Sequence, residues 1–137
     1  MNTIIRSLSP SLALALSITA PLWLAAGCSK SSSANTGPVI TAEAKGEAQE
    51  IFSTRCMTCH GPTGKGDGPA SAGLTPKPRN FHDGAWQANV TDQHIEQIIQ
   101  FGGVAVGKSP AMPPNPDLAP KTVVIAALRD HIRSLGK

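Results

Sequence analysis

Five consecutive residues, Cys56-Met57-Thr58-Cys59-His60, put two thiols three positions apart with an imidazole directly after the second. These groups ligate metals, attack electrophiles and form covalent links, so the stretch fits a zinc half-site, a redox dithiol or a haem anchor. Structural zinc takes four ligands in two pairs, and no second CxxC or HxxxH follows. A redox dithiol belongs at the start of a helix in a βαβ setting, which the rest of the chain does not supply. Further on, GGVAVGKS (Gly102 to Ser109) formally matches a phosphate loop. Such a loop follows a strand and opens a helix, however, and the prolines of PAMPPNP come next here. The match reads as coincidence.

The haem reading uses all of the chemistry in CMTCH. Thiols at i and i+3 share one face of a turn, so both can form thioethers, and His60 is then held beneath the iron as an axial ligand. A second ligand must come from far enough downstream to reach the opposite haem face. Of the three methionines, Met1 belongs to the N-terminal signal and Met57 lies between the anchoring cysteines, which leaves Met112 in SPAMPPNP. Its flanking prolines stiffen the loop that would present the thioether. His82, in NFHDG, is the rival; His94 and His131 fall within helical segments.

Those residues need elements to position them. TAEAKGEAQEIFSTRCMTCH predicts a helix capped by Thr41, with Glu43 in its first turn, that delivers Cys56 from its C-terminal end. TDQHIEQIIQFGG predicts a second helix, capped by Thr91, with Ile95, Ile98 and Ile99 on one face and a stop at Gly102 and Gly103. A third begins near Pro120 and carries the stripe Val124, Leu128, His131, Ile132 and Leu135. No segment alternates as strands do. The fold class is all-α, with three to five helices and Gly/Pro-rich loops wrapped around one covalent haem. Aromatic residues make up only 4% of the chain, with no tyrosine, so a bound cofactor would supply the missing core. The net charge of +3 contains no lysine or arginine run, which argues against nucleic-acid binding.

The N-terminus predicts export. Arg6 precedes an apolar stretch, Leu12 to Gly27, that Pro21 interrupts and that is too short for a membrane-spanning helix of ~20 apolar residues. It ends LAAGC, similar to a bacterial lipobox with Cys28 as the lipidated residue, although Ala25 stands where leucine is usual. Ordinary cleavage nearby and a retained anchor are the alternatives. The expected organisation is a signal peptide over 1–27, a flexible Ser-rich tether over 28–40 and a folded domain over 41–137.

Over 41–137 the chain resembles monohaem class I c-type cytochromes. The resemblance rests on GEAQEIF (Gly46, Phe52), CMTCHG, the Gly68-Pro69 pair, SPAMPP and the terminal HIRSL; PKPRNFHDGAWQ further resembles a bacterial branch of small periplasmic or membrane-attached cytochromes. It implies haem c on Cys56 and Cys59, iron held by His60 and Met112, and a proline carbonyl, by position that of Pro69, accepting the proton from the far nitrogen of His60, with Pro76 the lesser candidate. It also implies that Gly46 and Phe52 pack on the last helix, where His131 replaces the family's usual aromatic residue. Arg79 and Trp86 are candidates to satisfy the anionic propionates, against the plainer roles of exposed arginine and core tryptophan.

With both axial positions filled, iron has no open site for a substrate. The expected function is therefore one-electron carriage, not catalysis, on the periplasmic side of a membrane, meeting redox partner proteins through a small transient interface. A subunit of a larger oxidoreductase, and a haem enzyme or gas sensor with a displaceable ligand, are the alternatives.

Overall fold

The computed structural model describes residues 37–137; the signal segment, Cys28 and most of the Ser-rich tether lie outside them. Helix α1, Ala42–Ile51, starts where expected: the Thr41 side chain accepts the Ala44 N–H at 3.2 Å. It passes through a π-helical turn, Phe52–Cys56, into the short α2, Met57–His60. The turn has a local cause. The Ser53 and Thr54 hydroxyls both donate to the Glu50 carbonyl, at 2.9 and 2.8 Å, competing for the acceptor that the Thr54 amide would take in an α-helix.

A loop then folds back over α2, with the Gly66 and Gly68 amides donating to the carbonyls of His60 and Cys59 at 2.8 and 3.1 Å. Helices α3, Gly84–Asn89, α4, Asp92–Phe101, and α5, Thr122–Ser134, complete the helical frame. Single 3₁₀ turns occupy Pro69–Ser71, Val104–Val106 and Pro116–Leu118, and there is no strand among the described residues. The all-α expectation holds. Helix α3 is an addition to the three expected helices; the Asp83 carboxylate caps it through the Trp86 N–H at 3.1 Å.

The core lies where α1 and α4 each pack on α5. Ala44, Ala48 and Ile51 form the buried face of α1, at i, i+4 and i+7. Gly46 falls two residues out of that phase and is exposed, with open space around it, so the expected packing of Gly46 on the last helix is corrected. Phe52 does pack there: its ring meets His131 edge-on at 4.4 Å. Helix α5 is buried more broadly than its predicted stripe: Ile125, Ala126, Ala127 and Arg129 are enclosed as well, Arg129 among Asp92, Glu96 and Asp130. Arg133 donates to Asp92 and to the carbonyls of Gln87 and Val90, tying α5 to the α3–α4 junction. No helix among the described residues is long and apolar enough to cross a membrane.

Candidate functional site

One cavity opens beside the π-helical turn. Its apolar wall comes from Ile51, Phe52, Ile99, Leu118, Leu128 and Ile132, and Cys56, His60 and Met112 all reach its lining. Residues 52 positions apart in the chain, His60 and Met112, thus face one space. Cys59, three residues beyond Cys56, is half-buried, and the two thiols are not joined in a disulfide.

The local chemistry separates the readings of CMTCH. A redox dithiol needs a low-pKa thiolate. Burial instead pushes Cys56 up to about 11, against the smaller opposing effect of the nearby Arg55 charge. For zinc, no cluster of three or more His, Cys, Asp or Glu side chains able to hold a bare ion occurs among the described residues. The phosphate-loop match also fails. The amides of Gly103, Val106, Gly107 and Lys108 all donate to carbonyls of this same region and are not free to cradle an anion.

His60 has a defined orientation. Its Nδ1 lies 3.1 Å from the Arg79 carbonyl, which can only accept, so the proton sits on Nδ1 and Nε2 keeps its lone pair for a ligand. Burial lowers the pKa of His60, with the Arg79 carbonyl opposing that shift, so the neutral form is favoured. The expected acceptor, the Pro69 carbonyl, is not the one used. Pro69 opens a 3₁₀ turn, and the chain must travel ten residues further before the backbone returns to the imidazole. Pro76 is likewise not the acceptor.

Met112, in the lining of the same cavity, is held by backbone. Its carbonyl accepts the Gly103 N–H at 2.9 Å, where α4 has just ended. Asn115 then fastens the loop: its amide N–H reaches the Gln100 carbonyl at 3.0 Å and its side chain donates to the Ile99 carbonyl at 2.7 Å. Arg55 links this segment back to the haem-motif turn through Asp117 at 2.9 Å.

The remaining candidates lie elsewhere. His82 does not reach the cavity; its Nε2 is bonded to the Thr63 carbonyl at 2.7 Å. Neither Arg79 nor Trp86 lines the cavity, and the Arg79 guanidinium is taken up by Asp83 at 3.3 Å and by the Trp86 ring. The expected propionate role of these two therefore gains no geometric support. Two contributors were not singled out from sequence, Asn115 and Phe81, whose ring stacks on His60 at 4.5 Å with planes 15° apart. An amide directly after the paired prolines was the available signal for Asn115; Phe81 had none.

Two thiols in adjoining turns, an imidazole with a free Nε2, a thioether in the lining of the same apolar cavity and no charged group there fit a covalently held haem. The Cytochrome c family profile matches residues 46–135, spanning both α2 and the Met112 loop. The chain belongs to the cytochrome c family: it is a haem-binding electron-transfer protein of the all-α class I fold, with haem c on the Cys56 and Cys59 motif, and it works with redox partner proteins. No curated protein matches the chain.

Proposed function

We propose that the protein carries single electrons on a haem whose iron is held by His60 and Met112, and that it is an exported carrier tethered to a membrane by a lipid on Cys28, without enzymatic activity. The observation that carries the ligand assignment is the shared cavity: among the described residues, Met112 alone joins the anchoring turn and His60 with a second sulfur donor. The haem supplies the reversible ferrous–ferric change. The chain's own residues do the rest. Arg79 fixes the His60 tautomer through its carbonyl, the Gly103 amide and Asn115 hold the Met112 loop, and the apolar wall keeps water from the site, conditions under which a thioether ligand raises the potential.

The ferric absorption spectrum tests the ligand set. The unsubstituted protein should show the weak long-wavelength sulfur-to-iron band of a low-spin haem, and Met112→Ala should lose it and lower the reduction potential. A high-spin ferric spectrum of the unsubstituted protein would overturn the carrier reading in favour of an open-site haem protein. The anchor is tested by fractionation of cells expressing the full chain: Cys28→Ser should move the protein from the membrane to the soluble extracytoplasmic fraction, while an unchanged distribution would remove the lipid from the account.

A further inference from the structure

The chain has only three phenylalanines and two tryptophans, yet two of these rings stand in series with His60. Phe81 stacks on the imidazole at 4.5 Å, and Trp86 follows at 5.7 Å with its ring tilted by 33°. The series runs outward: Phe81 is buried, Trp86 is half-buried, and Arg79, which covers the indole at 5.7 Å, is exposed. The stack is closely specified. Gly64 has φ +77 and its carbonyl accepts the Phe81 N–H at 2.8 Å; a Cβ there would lie 2.9 Å from the Phe81 ring and 2.7 Å from Leu135. Gln87 fixes the Phe81 carbonyl from the other side at 2.8 Å.

We propose that Phe81 and Trp86 form a second electron route, leading from His60 to a surface port at Trp86 where a one-electron redox protein docks. The route rests on the reading of His60 as an axial ligand. Along it one electron passes from the ferrous site to an oxidant in the partner, or returns from a reductant; no bond forms or breaks and no proton moves. Coupling for such transfer falls most steeply across gaps between non-bonded groups, and stacked rings in van der Waals contact leave the smallest gaps. Helix α3 has no charged side chain, and Gly84, Ala85 and Ala88 are exposed and small, so another protein's surface can approach the indole closely. Arg79 at the rim, whose Nη1 is paired with Asp83 at 3.3 Å, keeps further N–H donors for a carboxylate that a partner presents there.

The test uses the full haem-loaded chain in a Cys28→Ser background, with a photosensitising ruthenium complex on a thiol introduced by Asn89→Cys. Position 89 is three residues from Trp86 and neighbours it on α3. A second labelled protein carries Ala105→Cys, beside the Met112 loop. Phe81→Leu and, separately, Trp86→Leu should slow electron transfer between the haem and the label at position 89 severalfold. The rate from position 105 should hold, and Trp86→Leu should leave the absorption spectrum and the reduction potential unchanged. Unchanged rates from position 89, or rates from both positions falling together, overturn the route. Trp86→Leu alters a half-buried side chain at the edge of the core and decides the question even if Phe81→Leu does not fold. A holoprotein without low-spin, imidazole-ligated iron overturns the ligand reading and the route with it, whereas a low-spin spectrum with unchanged rates from position 89 overturns the route alone.

Discussion

Gly102 decides where Met112 can sit. Its φ of 76° and ψ of 177° belong to a region that only glycine enters freely, and a Cβ there would lie 2.8 Å from the Met112 carbonyl and from the Pro114 nitrogen. Gly102→Ala should therefore cost about 1–3 kcal/mol in backbone strain and push the loop away. The expected result is loss of the sulfur-to-iron band while the haem stays covalently attached; a retained band would show that the loop adapts. At His131 the question is protonation. Its Nε2 is buried without a hydrogen-bond partner and its ring meets Phe52, so burial lowers its pKa. The unfolded chain binds the proton more readily, so the stability held by the neutral ring is complete above the ordinary histidine value of about 6.5 and is lost as pH falls through the folded-state value. Denaturant unfolding of the holoprotein should show lower stability at about pH 5.5 than at about pH 7.5, and His131→Phe should shrink that difference. Equal pH dependence in the two proteins would assign the effect to other groups.

At the scale of elements, the Met112 loop is a strap between the end of α4 and the start of α5, and Asn115 is its buckle. Asn115→Leu would leave the Ile99 carbonyl unpaired beside the cavity, a loss of about 1–3 kcal/mol, and the loosened strap should let imidazole displace Met112 faster in the ferric protein. Stopped-flow imidazole binding measures this, and a rate equal to that of the parent would show that the backbone bonds of Gly103 and of residue 115 hold the strap without the side chain. The exposed Arg55–Asp117 pair adds little by comparison. Helices α1 and α4 were legible in sequence because Thr41 and Thr91 cap them and their apolar residues recur at helical spacing. Helix α3 was not: at six residues it is too short to show a period, and only Asp83 marks its start. The cysteine–histidine motif could be read from spacing, and elimination pointed to Met112, which lines the same cavity as His60. The Arg79 carbonyl could not, because which backbone group meets His60 depends on the path of the loop from Gly61 to Asn80, and local sequence does not encode that path. Nor could the burial of Arg129, whose enclosure depends on carboxylates that α4 supplies.

For the whole molecule, the aliphatic core is thin relative to the chain it must hold. Among the described residues, only Ile95, Leu118 and Leu128 are large side chains with almost no exposure, and four of the other buried apolar residues are alanines. A domain of about 100 residues is only marginally stable even with a full core. Here Ile51, Phe52, Ile99, Leu118, Leu128 and Ile132 also turn one side toward the cavity, so they realise their burial only when something apolar fills it. Haem is thus a structural member as well as the redox centre: its thioethers would hold Cys56 and Cys59, and iron bound by His60 and Met112, as proposed, would join α2 to the strap. Chain in which Cys56→Ala and Cys59→Ala prevent attachment, purified without haem, should keep part of its helical circular dichroism, since α1, α4 and α5 have local caps or strong amphipathic patterns. It should lose the cooperative thermal transition of the holoprotein. A sharp transition at an unchanged temperature in the haem-free chain would show that α1, α4 and α5 close the core by themselves, and the cavity would then be a binding site in a finished fold, not the centre around which the fold forms.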